Sequence, residues 1–135
     1  MSSHNEKVER LKGILRKLGL PNLPPHIVHC ESYHPDFCTR INHKFVVCDY
    51  INSKEQFNWD IGGLTILLLH KDIIEFCVAV VADGIYEELI DKIRKYRNPF
   101  LKRLVILKER EFEAWLKEQI EKSNLWKPEK LEVIS

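Results

Sequence analysis

One continuous apolar run of strand length stands out in the chain: Phe76-Cys77-Val78-Ala79-Val80-Val81-Ala82, closed by Asp83-Gly84. A strand with one wet face alternates apolar and polar residues. A short β-branched run without alternation reads as a strand buried on both faces, and such strands belong to parallel sheets covered by helices. Leu104-Val105-Ile106-Leu107 is a second short apolar run. Between the two, Asp83 is placed to cap a helix from Ile85 to about Arg97, with Glu87 and Glu88 in its first turn and Asn98-Pro99 ending it. Beyond the second, Glu109 to Lys122 reads as a helix carrying Phe112, Trp115, Leu116, Gln119 and Ile120 on one face. Strands alternating with helices imply right-handed crossovers and a partly parallel sheet.

The first half reads differently. Val8, Leu11, Ile14, Leu15 and Leu18 recur every three or four residues, which predicts a helix over 5–19, stopped by Gly19 and by Pro21, Pro24 and Pro25. Ile27-Val28, Phe37 to Ile41 and Phe45-Val46-Val47 are β-prone, with a hairpin turn fitting at Asn42-His43. Ser53 and Gln56 have capping-box spacing and predict a helix from about 53 to 70; Gly62-Gly63 leaves a loop followed by a strand as the alternative. The expected fold is α/β, a small mixed β-sheet flanked by helices in two or three layers, in the order α-β-β-β-α-β-α-β-α. The 135 residues suit one domain over 1–122, followed by a C-terminal tail over 123–135 that contains Pro128.

Composition narrows the function classes. With 21 Lys+Arg against 20 Asp+Glu the net charge is +1, which excludes a blanket polycation and leaves room for a local basic patch. No apolar run approaches the ~20 residues needed to span a bilayer, so no membrane association is expected. The first residues lack the apolar segment of a secretory signal, and the four cysteines read as reduced thiols, so a cytoplasmic location is expected. No Gly-rich phosphate loop and no Gly-X-Ser-X-Gly elbow is present, which argues against nucleotide hydrolysis and serine-hydrolase chemistry.

Asp36 opens one strand of the proposed hairpin and Asp49 lies near the end of the other. Pairing about Asn42-His43 brings both carboxylates to one end of the sheet, where two such groups can hold Mg²⁺ and leave room for water and phosphate. Asp36 and Asp49 also read as turn and strand-end residues bonded to nearby backbone. Asp60 reads as a cap or turn residue beside Ile61-Gly62.

His34-Pro35-Asp36-Phe37, then Arg40-Ile41-Asn42-His43-Lys44, then Phe45-Val46-Val47-Cys48-Asp49-Tyr50-Ile51 resembles the PD-(D/E)XK nuclease superfamily. The resemblance covers roughly residues 5–122 and consists of layout plus two short motifs. It implies a restriction-endonuclease-like fold, a Mg²⁺ cofactor on Asp36 and Asp49, DNA or RNA as partner, and a homodimer. The family's lysine falls at Ile51, which can neither orient water nor stabilise charge. Lys54 or Lys44 would have to reach the site; otherwise the resemblance implies reduced or lost catalysis. Glu31 is a third candidate carboxylate.

Two other constellations matter. His26, His29, Cys30, His34, Cys38, His43 and Cys48 crowd into 26–48, and zinc accepts tetrahedral sets of such ligands, though no Cys-X2-Cys pair is present. Cys48 and Cys77, set among valines and phenylalanines, read as buried small hydrophobes. Lys92, Arg94, Lys95, Arg97, Lys102 and Arg103 form a basic segment without acidic residues, with Tyr96 and Phe100 interleaved. Lys7, Arg10, Lys12, Arg16 and Lys17 add charge on the first helix. Such faces bind phosphates and stack bases, or are solvated helix surfaces with cations favoured at a helix C-terminus. The leading expectation is therefore a nuclease-like nucleic-acid-binding domain, a catalytically impaired metal-dependent phosphodiesterase. The alternatives are a non-catalytic protein–protein interaction module docking through Trp59, Leu125 or Trp126, and a zinc-stabilised binding module.

Overall fold

The computed structural model describes residues 3–24, 33–70, 72–96 and 102–134, with side chains described as far as Ser123 and that of His70 excepted. Ser3 caps helix α1 (His4–Lys17), its Oγ accepting the Glu6 N–H at 3.1 Å. Gly19, at φ +75°, ends it: the Leu20 N–H returns to the Leu15 carbonyl and the Gly19 N–H to that of Arg16, the paired bonds of a Schellman stop. The β-prone segment Ile27-Val28 lies outside the described residues.

Strands β1 (Phe37–Ile41) and β2 (Lys44–Ile51) form the expected antiparallel hairpin, with Ile41 opposite Lys44 and Phe37 opposite Cys48. Asn42 supplies the left-handed residue of the turn at φ 58°, a conformation its short amide side chain tolerates better than most. Helix α2 (Lys54–His70) follows, with the Ser53 Oγ accepting the Gln56 N–H at 3.2 Å, and it runs unbroken through Gly62-Gly63. Gly63 is there for space: a Cβ would overlap the ring of Tyr33, which lies across the helix at that point.

Strand β3 (Ile74–Val81) pairs parallel with β2 and with β4 (Leu104–Lys108), giving the order β1-β2-β3-β4. The helix expected over 85–97 is two short ones, α3 (Asp83–Glu88) and α4 (Ile90–Tyr96), meeting at Leu89. Asp83 does not cap: Ala82 holds the cap position, and no side chain bonds there. A 3₁₀ turn (Glu109–Glu111) leads into α5 (Phe112–Ile134), whose backbone continues over residues expected to form a tail.

The domain has three layers. Phe57, Ile61, Leu64 and Leu67 of α2, with Tyr86, Leu89 and Ile93 of α3–α4, pack on the face of the sheet that carries Val47, Ile51, Cys77, Ala79 and Val81. Val8, Leu11 and Leu15 of α1, with Phe112 and Leu116 of α5, pack on the opposite face, against Phe37, Val46, Cys48, Tyr50, Val78 and Val80. β3 is buried from Cys77 to Val81 on both sides, as its unbroken apolar run requires. Among the described residues no helix is long and apolar enough to cross a membrane.

Candidate functional site

The hairpin brings Asp36 and Asp49 together, and each carboxylate takes a backbone N–H from the other strand. The Asp36 N–H donates to Asp49 Oδ1 at 2.7 Å, and the Tyr50 N–H donates to Asp36 Oδ2 at 2.8 Å. Phe37–Cys48 is the last backbone pair of the β1–β2 ladder, so these two bonds continue it one step by means of side chains. Asp36 Oδ1 meets His4 Nε2 at 3.1 Å, and the His4 ring lies 5.8 Å from that of Tyr50, which ties the start of α1 to the same corner.

Side chains alternate along β2, so Asp49 shares with Val47 and Ile51 the face covered by α2. Asp60, one residue before Ile61 and three after Phe57 on the inward side of α2, is near enough for its charge to act on Asp49. Asp49 is 2 % exposed and Asp60 6 %, and Asp49 Oδ2 has no hydrogen-bond partner among the described residues. Burial pushes the Asp49 carboxyl well up, the nearby Asp60 charge adds to the rise, and the Asp36 N–H opposes it. Burial, reinforced by the Asp36 charge and opposed by His4, pushes Asp60 up to about 7. Asp60, His4 and Tyr50 are site residues that sequence reasoning missed. Asp60 was findable, because a helix over 53–70 puts position 60 on the stripe of Phe57, Ile61 and Leu64.

Mg²⁺ asks for open carboxylate oxygens and room for several waters. Asp36 has both oxygens engaged, and of the pair only Asp49 Oδ2 is open, inside the core. Among the described residues no group of three His, Cys, Asp or Glu side chains is placed to hold a metal ion. The donor set as folded therefore does not match a Mg²⁺ site built on Asp36 and Asp49. Ile51 fills the lysine's position with 0 % exposure. Lys54 lies on the exposed first turn of α2, 3.7 Å from Glu88. Lys44 pairs with Glu75 at the far end of β2, about 16 Å of strand from Asp49. Glu31 lies outside the described residues.

A crevice of about 570 Å³ opens on the α1–α5 side of the sheet at the carboxyl ends of β2, β3 and β4, lined by Lys7, Arg10, Tyr50, Asp83, Glu109 and Arg110 among others and by neither aspartate of the pair. Its charges largely cancel. Glu109 accepts the Tyr50 O–H at 3.0 Å and takes Lys7 at 3.1 Å and Arg10 at 3.7 Å. Burial, with the Glu109 bond second, holds the Tyr50 phenol well above its ordinary range.

The predicted cations lie elsewhere. Lys92, Arg94, Lys95 and Lys102 are exposed. Arg103 spends its guanidinium on the Leu68 and Ile74 carbonyls at 3.2 and 3.3 Å, where α2 ends and β3 begins. Arg97 and Phe100 lie outside the described residues. α4 returns the chain from the carboxyl end of β3 to the amino end of β4, so this basic segment leads away from the aspartates.

The zinc cluster is divided. Cys38 faces α2 while Cys48 faces α1 and α5. Burial pushes Cys38 up to about 12 and Cys48 well above its ordinary range, which disfavours the thiolate zinc needs. His26, His29 and Cys30 lie outside the described residues. In comparisons with protein-family models, with curated proteins and with solved structures, none matches this chain.

Proposed function

We propose that the chain is a nuclease-like α/β domain that binds DNA or RNA without cutting it. The observation that carries the loss of cleavage is the use made of the acid pair: Asp36 and Asp49 receive backbone N–H groups, and Ile51 is buried where a water-activating cation would stand. Binding is supported by the exposed residues of α4 and the turn before β4, Lys92, Arg94, Lys95 and Lys102, among which Asp91, 3.8 Å from Arg94, is the lone acidic residue in the described part of 90–103. These cations take phosphates by charge, which makes binding salt-dependent and largely indifferent to sequence.

Fluorescence anisotropy of labelled DNA and RNA against salt tests the reading. Each phosphate contact adds about 0.9 to the salt slope on B-DNA. Replacing Lys92, Arg94 and Lys95 by alanine is expected to reduce that slope by about 2–3. Binding that ignores salt or the triple substitution removes the reading. Cutting in Mg²⁺ or Mn²⁺ that Asp36→Ala abolishes would overturn the loss of cleavage. A second reading, a protein–protein contact, is favoured by the apolar residues on the outer side of α2.

A further inference from the structure

The inner face of α2 is used up by the core, yet the helix is apolar on its outer face as well. Trp59 is 67 % exposed, Ile66 43 % and Leu69 72 %, and Ile73 in the following turn is 51 % exposed. Gly62 is exposed among them, with no atom of the described residues within 4 Å of where a Cβ would stand. Positions 59, 62, 66 and 69 are spaced three, four and three apart, the stripe of one helix face. After Glu55 the only charged residue up to Leu69 is Asp60, and Asp60 points inward. Fourteen residues of surface helix thus present no outward charge. A solvated helix face is normally charged, and a contiguous apolar patch of this kind marks a contact surface.

We infer that this stripe is the seam of a homodimer, with α2 packed antiparallel against α2 of a second copy. A two-fold axis midway between Gly62 and Ile66 sets Ile66 of one copy over the gap at Gly62 of the other, and Trp59 against Leu69. Each contact occurs twice, as a closed two-fold interface requires. The same operation puts Ile73 beside the stem of Glu55 at either end. The stripe is therefore complementary to itself in size, large against small, and has no charge to repel its copy. A membrane surface would call for Lys or Arg along the stripe's edges, and α2 has Lys54 alone. The four exposed side chains offer on the order of 400 Å² of apolar surface per copy. With Glu55 and Asn58 at the rim, two copies approach the ~1,200 Å² at which specific interfaces begin. The seam depends neither on the nuclease likeness nor on nucleic-acid binding.

Sedimentation equilibrium of the full chain at micromolar to hundred-micromolar concentration tests it. The wild type is expected to dimerise in that range. Ile66→Glu and Leu69→Glu are each expected to raise the dimer dissociation constant at least about 100-fold with the far-UV circular dichroism unchanged, since both side chains already face water. Gly62→Leu fills the gap without touching its own fold and is expected to weaken the dimer as well. A wild type that stays monomeric throughout overturns the inference. So does a dimer that all three substitutions leave intact. Nucleic-acid affinity, measured separately on the same variants, keeps failure here distinct from failure of the binding reading.

Discussion

Replacing Asp60 by asparagine removes one buried charge and leaves the shape of the side chain nearly unchanged. Burial holds the Asp60 carboxyl at about 7 in the folded chain, against 3.8 for a free carboxyl. An acid of this kind keeps its proton more tightly when folded than when unfolded. Its stabilising effect is complete below pH ~4, falls as the pH rises from 4 to 7, and is gone above about 8. At about 1.36 kcal/mol per tenfold change in proton affinity, the gap between 3.8 and about 7 corresponds to about 4 kcal/mol lost across that window. Polar relaxation around the carboxylate and the coupled titration of Asp49 reduce it, so 2–4 kcal/mol is the expected range. Urea unfolding followed by circular dichroism should show Asp60→Asn more stable than wild type by that amount at pH 8 and equal to it within about 0.5 kcal/mol at pH 4. A variant no more stable than wild type at pH 8 would refute the argument, because the ionised Asp60 would then have a stabilising partner in the folded chain.

Two further outcomes follow from the packing. Gly63→Ala is expected to destabilise by about 1–3 kcal/mol in urea unfolding, because the new methyl overlaps the Tyr33 ring, despite the ~1 kcal/mol that alanine gains over glycine in a helix. Gly13→Ala in α1, whose methyl would meet only the Arg16 guanidinium at 3.7 Å, is expected to stabilise by about 0.5–1 kcal/mol, so a loss at both positions would refute the steric account. The Cys38, Cys48 and Cys77 thiols are buried and held in the thiol form, so an aromatic disulfide reagent at pH 8 should leave them unmodified until the chain unfolds; rapid labelling of the native protein at those sites would contradict the burial.

The sequence-legible part of the fold was the part set by local rules. The Gly19 stop, the Ser53 cap, the Asn42-His43 turn and the apolar run of β3 each act within a few residues, and each appears as read. What was not legible depended on distant neighbours. Gly62-Gly63 left a loop and strand open as the alternative to the helix over 53–70 because the cost of glycine is local, while the reason for Gly63 is Tyr33, thirty residues earlier in the chain. Asp83 looked like a cap because aspartate before a helix usually is one, yet the helix starts at Asp83 itself and Ala82 takes the cap position. The pairing of Asp36 with Asp49 was legible from hairpin register. Their bonding to nearby backbone was one of the two readings and is what the structure has; the part taken by His4 of α1 and by Asp60 of α2 was not legible, since both come from distant segments.

That difference bears on what an acid pair at a sheet end means. An antiparallel ladder that stops leaves its next N–H groups without carbonyl partners, and an unpaired buried N–H is costly. Aspartates on either side of the stop are short side chains, each with two acceptor oxygens, that take those protons while their own backbone continues the strand. The need is met here twice, once in each direction. The same two residues at the same two positions would serve a cation equally well if their outer oxygens faced solvent and a lysine stood two residues after Asp49. In this chain α2 closes over that face: Ile51 is fully buried beside Phe57 and Ile61, and Asp60 adds a third carboxylate where a lysine would neutralise the pair. Ile51→Lys should therefore bury an ammonium beside Asp49 and Asp60 within the α2 layer. It is expected to form an ion pair at the expense of core packing and to lower stability by about 3 kcal/mol or more without producing Mg²⁺-dependent cutting. Cutting by this single variant would overturn this argument, because it would trace the proposed lack of cleavage to one side chain rather than to the closure of the helix over the sheet.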